Sequence, residues 1–255
     1  MSMVEIERSL KMLRLSGIRA TLETRTLQAN QGDVSFLDAF SMLLQDEMDR
    51  RRSRLIERRL KQSGLNERKT LAEFDWSFNP KIPKKACFDL VTCKFIQNNE
   101  DALLLGSPGT GKSHIAKATA HAAILGGFRV VYREAHLLLS ELFEATQLKM
   151  KKKKLELFST ADLLVIDDLF LRKKLPEDAA DDLQEIVLMR YAARKSTLIT
   201  SNRVIDDWGK CLGDNAIASA ILDRILHHGN LLKFEGQSYR LKEANMRLAK
   251  NTAID

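Results

Sequence analysis

Cysteine is scarce in this chain and badly placed to frame it. Cys87, Cys93 and Cys211 form an odd set without C-x-x-C spacing. That speaks against a disulfide scaffold or a zinc site and for reduced thiols in a cytoplasmic protein. Proline is equally sparse, with four in 255 residues, and no low-complexity segment or internal repeat interrupts the pattern. Order is therefore expected throughout, frayed ends apart. Apolar runs are short: none approaches the roughly 20 residues of a transmembrane helix, and no signal peptide precedes the first helix. No membrane span is expected. Aromatic residues make up only 6%, and none interleaves the main lysine run, which leans away from stacking on single strands and toward duplex.

Positive charge is what the chain has in excess. Lysine and arginine outnumber the acids 41 to 34, for a net charge of +7, so an acidic polymer is a reasonable partner. The excess is concentrated. Residues 1–68 read as helical, with a capping box at Ser35 and Asp38 followed by Phe36, Phe40, Leu43, Leu44 and Met48 at helical spacing. That helix is expected to run on through Arg50, Arg51, Arg52, Arg54, Arg58 and Arg59 and to stop near Gly64. Seven of the twelve residues 50–61 are basic and only Glu57 is acidic. They read either as an exposed face loosely paired with Asp46, Glu47 and Asp49 or, preferably, as a helix that contacts phosphates. A second run, Lys149, Lys151, Lys152, Lys153 and Lys154, is read in the same way. Such contacts grip backbone rather than sequence and weaken steeply with salt.

The segment Gly106-Ser107-Pro108-Gly109-Thr110-Gly111-Lys112-Ser113 fits the phosphate-binding pattern G-x-x-x-x-G-K-[ST]. It follows an apolar strand, Ala102–Leu105, and precedes a helix, as the pattern requires. Glycines let backbone amides turn toward phosphate oxygens, and the helix N-terminus adds partial positive charge there. Lys112 then reaches the terminal phosphates and the Ser113 hydroxyl ligates magnesium.

Downstream, residues 69–85 read as a linker, and strand and helix then alternate. Candidate strands are Ala102–Leu105, Phe128–Tyr132, Leu163–Asp167, Thr197–Thr200 and Leu231–Phe234. This order implies an α/β fold with a parallel sheet covered on both faces and phosphate sites beyond the strands' carboxyl ends. The strand Leu163-Leu164-Val165-Ile166 ends in Asp167 and Asp168, with Asp167 oriented to magnesium and Asp168 polarising the attacking water. Asn202 closes the next strand, either as a turn former or as a donor to that water or the γ-phosphate. Arg224 reads either as a surface arginine beside Asp223 or as a finger given in trans to a neighbour's γ-phosphate. Adjacent His227 and His228 point about 100° apart on a helix, so a packing role is preferred over a metal site.

Together, Gly109-Thr110-Gly111-Lys112-Ser113-His114-Ile115-Ala116, Val165-Ile166-Asp167-Asp168, Thr200-Ser201-Asn202-Arg203, Ile221-Leu222-Asp223-Arg224-Ile225 and Gly236-Gln237-Ser238-Tyr239-Arg240-Leu241 resemble the IstB-like AAA+ ATPases. Those are transposition helper proteins of bacterial insertion elements, related to the DnaC helicase loaders. The lead-in Lys69-Thr70-Leu71-Ala72-Glu73-Phe74-Asp75-Trp76 matches as well. One departure stands at Phe170, where the family has glycine nearby. The resemblance implies an AAA+ P-loop ATPase domain (69–255) with a five-stranded parallel sheet. It also implies a small all-helical N-terminal domain (1–68) for DNA binding and oligomerisation. ATP and Mg2+ are the implied cofactors, with Asn202 as γ-phosphate sensor, Arg224 as the trans finger and Arg240 as a second sensor. The implied activity is ATP-driven assembly of a homo-oligomer on duplex DNA, which is then presented to a transposase. The alternatives are a loader acting on a replicative helicase and single-stranded DNA, and a nucleotide-gated switch that barely hydrolyses.

Overall fold

The computed structural model describes residues 2–32, 34–171, 175–176 and 178–251. Two compact units divide between Arg59 and Leu60, so residues 60–68 fold with the second.

The first unit contains α1 (Met3–Met12), α2 (Ser16–Asn30) and most of α3 (Phe36–Ser63). The Ser35 hydroxyl accepts the Asp38 N–H at 3.2 Å, which starts α3 where the sequence placed it. Helix α2 has no side-chain cap of its own. Its orphan N–H groups at Gly17 and Ile18 are instead taken by the buried Glu47 carboxylate of α3, at 2.5 and 3.3 Å. Arg25 grips Asp46 through two bonds of 2.9 Å. The acids preceding the arginine run are thus largely committed elsewhere, and Arg51 alone of the run reaches Glu47, at 2.7 Å.

Gly17 makes this helix contact possible. A Cβ there would lie 2.5 Å from the Glu47 Cα and 2.6 Å from the Asp46 carbonyl oxygen, and backbone cannot step aside. Gly17→Ala is expected to cost this unit about 3 kcal/mol, read as an early partial unfolding in calorimetry. A single transition unchanged in temperature would refute the contact.

The second unit is built on strands β1 (Asp101–Gly106), β2 (Val130–Glu134), β3 (Leu163–Leu169), β4 (Ser196–Ser201) and β5 (Gly229–Phe234). All pairs are parallel, in the order β2-β3-β4-β1-β5. Helices cover both faces, so β1 and β3 read as largely continuous apolar runs rather than alternating ones, and β4 is buried throughout although four of its six residues carry hydroxyls. The helices are α4 (Lys84–Val91), α5 (Lys94–Gln97), α6 (Lys112–Leu125), α7 (Ala135–Gln147), α8 (Lys151–Thr160), α9 (Ala179–Ala192), α10 (Trp208–Leu212), α11 (Asn215–His227) and α12 (Tyr239–Asn251). On one face Leu103, Leu164, Ile166 and Ile199 pack with Leu138, Leu142, Phe158, Leu183 and Ile221 from α7, α8, α9 and α11.

Strand order sets the site. β4 lies between β1 and β3, which brings the end of β4 beside both the glycine loop and the two aspartates. The β3–β4 register slips between Ile166 and Leu169. Asp168, at φ +54°, is the extra residue of this bulge. The bulge turns Asp167 and Asp168 to different surroundings. Phe170 also takes a left-handed φ of +66°, the conformation a glycine would take freely. Its ring is buried edge-on against Trp208 at 5.1 Å, and that packing offsets the backbone cost.

Candidate nucleotide site

A cavity of about 430 Å³ opens above the carboxyl ends of β1, β3 and β4. The glycine loop Pro108–Gly111, Lys112 and Ser113 line it, together with Asp168, Asn202 and Arg240. Gly111 caps α6 at φ +102°, and a Cβ on it would strike the Phe74 ring at 2.4 Å. Glycine is therefore required there twice over, for its backbone angle and for space. The loop holds itself open. The Thr110 hydroxyl donates to the Ser107 carbonyl at 2.8 Å, and the Lys112 ammonium donates to the carbonyls of Gly106 and Ser107 at 2.7 and 2.9 Å. Burial pushes the Lys112 pKa down, against the pull of Asp168 and Asp167. Such an ammonium gains most from an added anion.

The two aspartates have separate situations. Asp167 is 2% exposed and accepts bonds from the hydroxyls of Tyr132 and Thr200. The same Thr200 hydroxyl accepts the Asp168 N–H at 2.9 Å, so one side chain fixes both ends of the bulge. The Asp168 carboxyl faces the cavity. Its pKa is raised, first by burial and then by the neighbouring Asp167 charge, with Lys112 and Arg240 opposing. Asn202 lies across from it, with a buried Oδ1 that has no hydrogen-bond partner among the described residues. An orphaned acceptor of this kind is costly unless a ligand or water completes it.

Arg240 stands in the first turn of α12 and contributes its charge to the cavity. Arg224 is not among the cavity's lining residues. Its Nη1 donates to the Ala220 carbonyl on its own helix at 2.7 Å. His227 and His228 sit at the end of α11, and their rings are 3.9 Å apart rather than splayed, because the helix ends between them. Among the described residues no group of three or more His, Cys, Asp or Glu could hold a metal ion unaided.

One wall of the cavity comes from before the sheet. Residues 69–85, which read as a linker in the sequence, instead fold onto the glycine loop, with Leu71 and Ile82 buried. Glu67, Lys69, Phe74, Asp75, Phe78 and Asn79 line the cavity. His114 Nε2 lies 2.8 Å from the Thr70 carbonyl oxygen, and the Phe74 ring meets His114 edge-on. Asn79 exchanges two hydrogen bonds with the Gln237 backbone, at 2.9 and 3.0 Å. The Tyr239 N–H donates to the Gly109 carbonyl at 2.9 Å. The segments before and after the sheet therefore meet over the loop. Phe74, Trp76 and Phe78 were the available signal, three aromatics within five residues of a chain with few.

Of the basic runs, Arg50, Arg52, Arg54 and Arg58 are exposed on α3, with Arg54 reaching the Ser16 hydroxyl. The lysine run begins α8. Lys151 binds Asp182 at 2.7 Å and Lys154 binds Glu141 at 2.9 Å, while Lys149, Lys152 and Lys153 are exposed. No helix among the described residues is long and apolar enough to cross a membrane.

A five-stranded parallel sheet with an inserted strand between the glycine-loop strand and the acidic strand, with an asparagine at the end of the inserted strand lining the cavity, defines an AAA+ P-loop protein. A family model described as IstB-like ATP binding protein matches residues 8–247, and the chain belongs to that family. It is 36% identical over 98% of its length, and 94% of the other chain, to a protein of insertion sequence IS21 from Pseudomonas aeruginosa named for ATP binding. A counterpart in insertion sequence IS5376 of Geobacillus stearothermophilus is 34% identical over 86% of each chain. Among solved structures, the DnaC helicase loader superposes with a TM-score of 0.51 at 22% identity, over 68% of this chain and 97% of the other. AMPPCP-bound DnaA from Aquifex aeolicus gives 0.55 at 22%, over 73% of this chain and 56% of that one. At these identities the likeness is one of fold.

Proposed function

We propose that this chain is an ATP-hydrolysing cytoplasmic subunit that assembles into a homo-oligomer on duplex DNA. The assembly selects or deforms that DNA and delivers it to a partner transposase, and hydrolysis controls disassembly. One observation carries the reading. Lys112, Asp168 and Asn202 converge on one cavity, whereas Arg224 lies outside it. Arg240 already gives the cavity one guanidinium, and we take Arg224, which lies outside it, to act on a neighbouring chain's nucleotide.

Within the cavity, the loop amides and Lys112 bind the phosphates, and the orphaned Asn202 Oδ1 orients the attacking water. Asp168 accepts that water's proton. Arg224 of the next subunit and Arg240 stabilise charge on the transferred phosphoryl. Ser113 and Asp167 would hold magnesium, which neutralises phosphate charge when bound. Ser113 fits it as a hard oxygen donor on the cavity wall. Asp167, also a hard donor, is buried and is not among the lining residues, contrary to the sequence expectation that it faces the metal, so it would act from behind that wall. Asp167 accepts one hydroxyl bond on each oxygen and keeps lone pairs free on both.

Electron microscopy with a non-hydrolysable ATP analogue and duplex DNA is expected to show multimers on DNA only when nucleotide is present. Isolated single copies that hold duplex equally well without nucleotide would overturn the proposal, and a preference for single strands would favour helicase loading. The exposed Arg50, Arg52, Arg54 and Arg58, with Lys149, Lys152 and Lys153, are proposed to follow the phosphate backbone. Lys151, Lys154, Arg51 and Arg59 lie in the same two runs. Neutralising Arg50, Arg51, Arg52 and Arg54 together is expected to weaken binding and to flatten log affinity against log salt by about 0.9 per lost contact. An unchanged slope removes α3 from the DNA path.

A further inference from the structure

The end of α9 and the end of α11 carry a polar–aromatic cluster that no step above uses. Tyr191 is 40% exposed, so its ring contributes little to the core. Its neighbours are instead three polar side chains of α11 and its cap. The Arg224 Cζ lies 5.9 Å from the ring centroid. The Tyr191 hydroxyl is 2.9 Å from His227 Nδ1, to which it donates when His227 carries its proton on Nε2. The His228 ring is nearly parallel to that of Tyr191, at an interplanar angle of 10° and 6.5 Å between centroids.

We propose that Tyr191 is a positioning residue for Arg224, and that His227 and His228 hold Tyr191 in place. This rests on the reading of Arg224 as a finger acting across the subunit boundary. A long arginine side chain free in solvent samples many rotamers, and each must be lost when a neighbour's phosphate is met. Arg224 is already tethered at two points in the lone protomer. One N–H group is bonded to the Ala220 carbonyl, and the guanidinium lies near an aromatic ring, where cation–π attraction holds it. Arginine has five N–H donors, so this tether leaves most of them for the incoming phosphate. The hydroxyl bond to His227 fixes the ring from the opposite end. Arg224 and His227 lie three apart on α11, so they share one helix face and together bracket Tyr191.

Steady-state ATP hydrolysis by the full chain on duplex DNA tests this. Tyr191→Ala and Tyr191→Leu are expected to lower kcat about fivefold without changing KM. Tyr191→Phe and His227→Ala, which keep the ring face but lose the hydroxyl bond that fixes it, should each lower kcat about twofold, less than loss of the ring does. In an Arg224→Ala background, Tyr191→Ala should add nothing, because its effect passes through the guanidinium. Without nucleotide, the NMR signal of the Arg224 side-chain Nε–H should move to its solvent-exposed position in Tyr191→Ala and hold its place in Tyr191→Phe. Tyr191→Leu at the wild-type rate, or the same fivefold loss on top of Arg224→Ala, overturns the positioning role alone. Arg224→Ala at the wild-type rate instead defeats the finger reading, and the positioning role with it.

Discussion

Lys112→Ala is expected to abolish ATP binding and, with it, nucleotide-dependent assembly. The ammonium is nearly buried and already bonded to two loop carbonyls, so it stands preorganised at the mouth of the loop. Hydrogen bonds involving a charged group are worth about 1.5–3 kcal/mol each, and two to phosphate oxygens amount to a loss of hundredfold or more in affinity. The substitution also takes the ammonium away from the Gly106 and Ser107 carbonyls, of which Ser107 keeps the Thr110 hydroxyl as donor. A fall of about 1 kcal/mol in the stability of the nucleotide-free protein should accompany it. Titration with a fluorescent ATP analogue reads the first effect, and thermal melting reads the second. Light scattering that shows the same oligomer size with ATP in wild type and variant would contradict the account.

Asp168→Asn should separate hydrolysis from binding. We expect kcat to fall by about 10²–10⁴, with ATP affinity and DNA-bound assembly retained. Asparagine suits the site geometrically because it tolerates the left-handed backbone that Asp168 adopts at φ +54°. Asp168→Ala lacks that tolerance and should lose stability as well. The pH dependence follows from the raised Asp168 pKa. The folded protein holds this proton to a higher pH than the unfolded chain does, so the contribution of Asp168 to stability falls as pH rises through that window. Above it, Asp168→Asn should melt no lower than wild type, and slightly higher if repulsion from Asp167 dominates. In wild type the acid limb of kcat/KM against pH should be displaced upward from that of an unperturbed aspartate. Equal hydrolysis rates for wild type and Asp168→Asn would instead make the protein a passive switch.

Much of this was legible along the chain because it is local. The glycine loop, the apolar run into Asp167-Asp168, the Ser35 cap and the Gly64 stop are each set by a few neighbouring residues, and the structure places each where the pattern does. The five strands likewise emerged from short apolar runs between helical ones. What escaped depended on distant partners. The segment 69–85 reads as a linker because Leu71, Phe74 and Ile82 do not form a strand or a long helix. They find their surface only after Gly111, His114 and Gln237 are assembled. Arg190 is not singled out along the chain, yet on α9 it is 1% exposed and spans the Ala161 carbonyl at 3.1 Å and the Thr197 hydroxyl at 3.0 Å. The lysine run looked uniform, but α8 turns Lys151 and Lys154 onto acids of α9 and α7, and nothing in their own spacing announces that.

The sequence by itself determined that a phosphate loop follows a buried strand, that two carboxylates end another, and that α3 is a long helix with a basic half. Those features rest on backbone geometry and periodicity, which a short window contains. Only tertiary structure decided that Asp167 is locked beneath Tyr132 and Thr200 while Asp168 faces the cavity. The same alternation would have read equally well with the two exchanged. The difference is a one-residue slip between β3 and β4, and a slip in register exists only when two strands are paired.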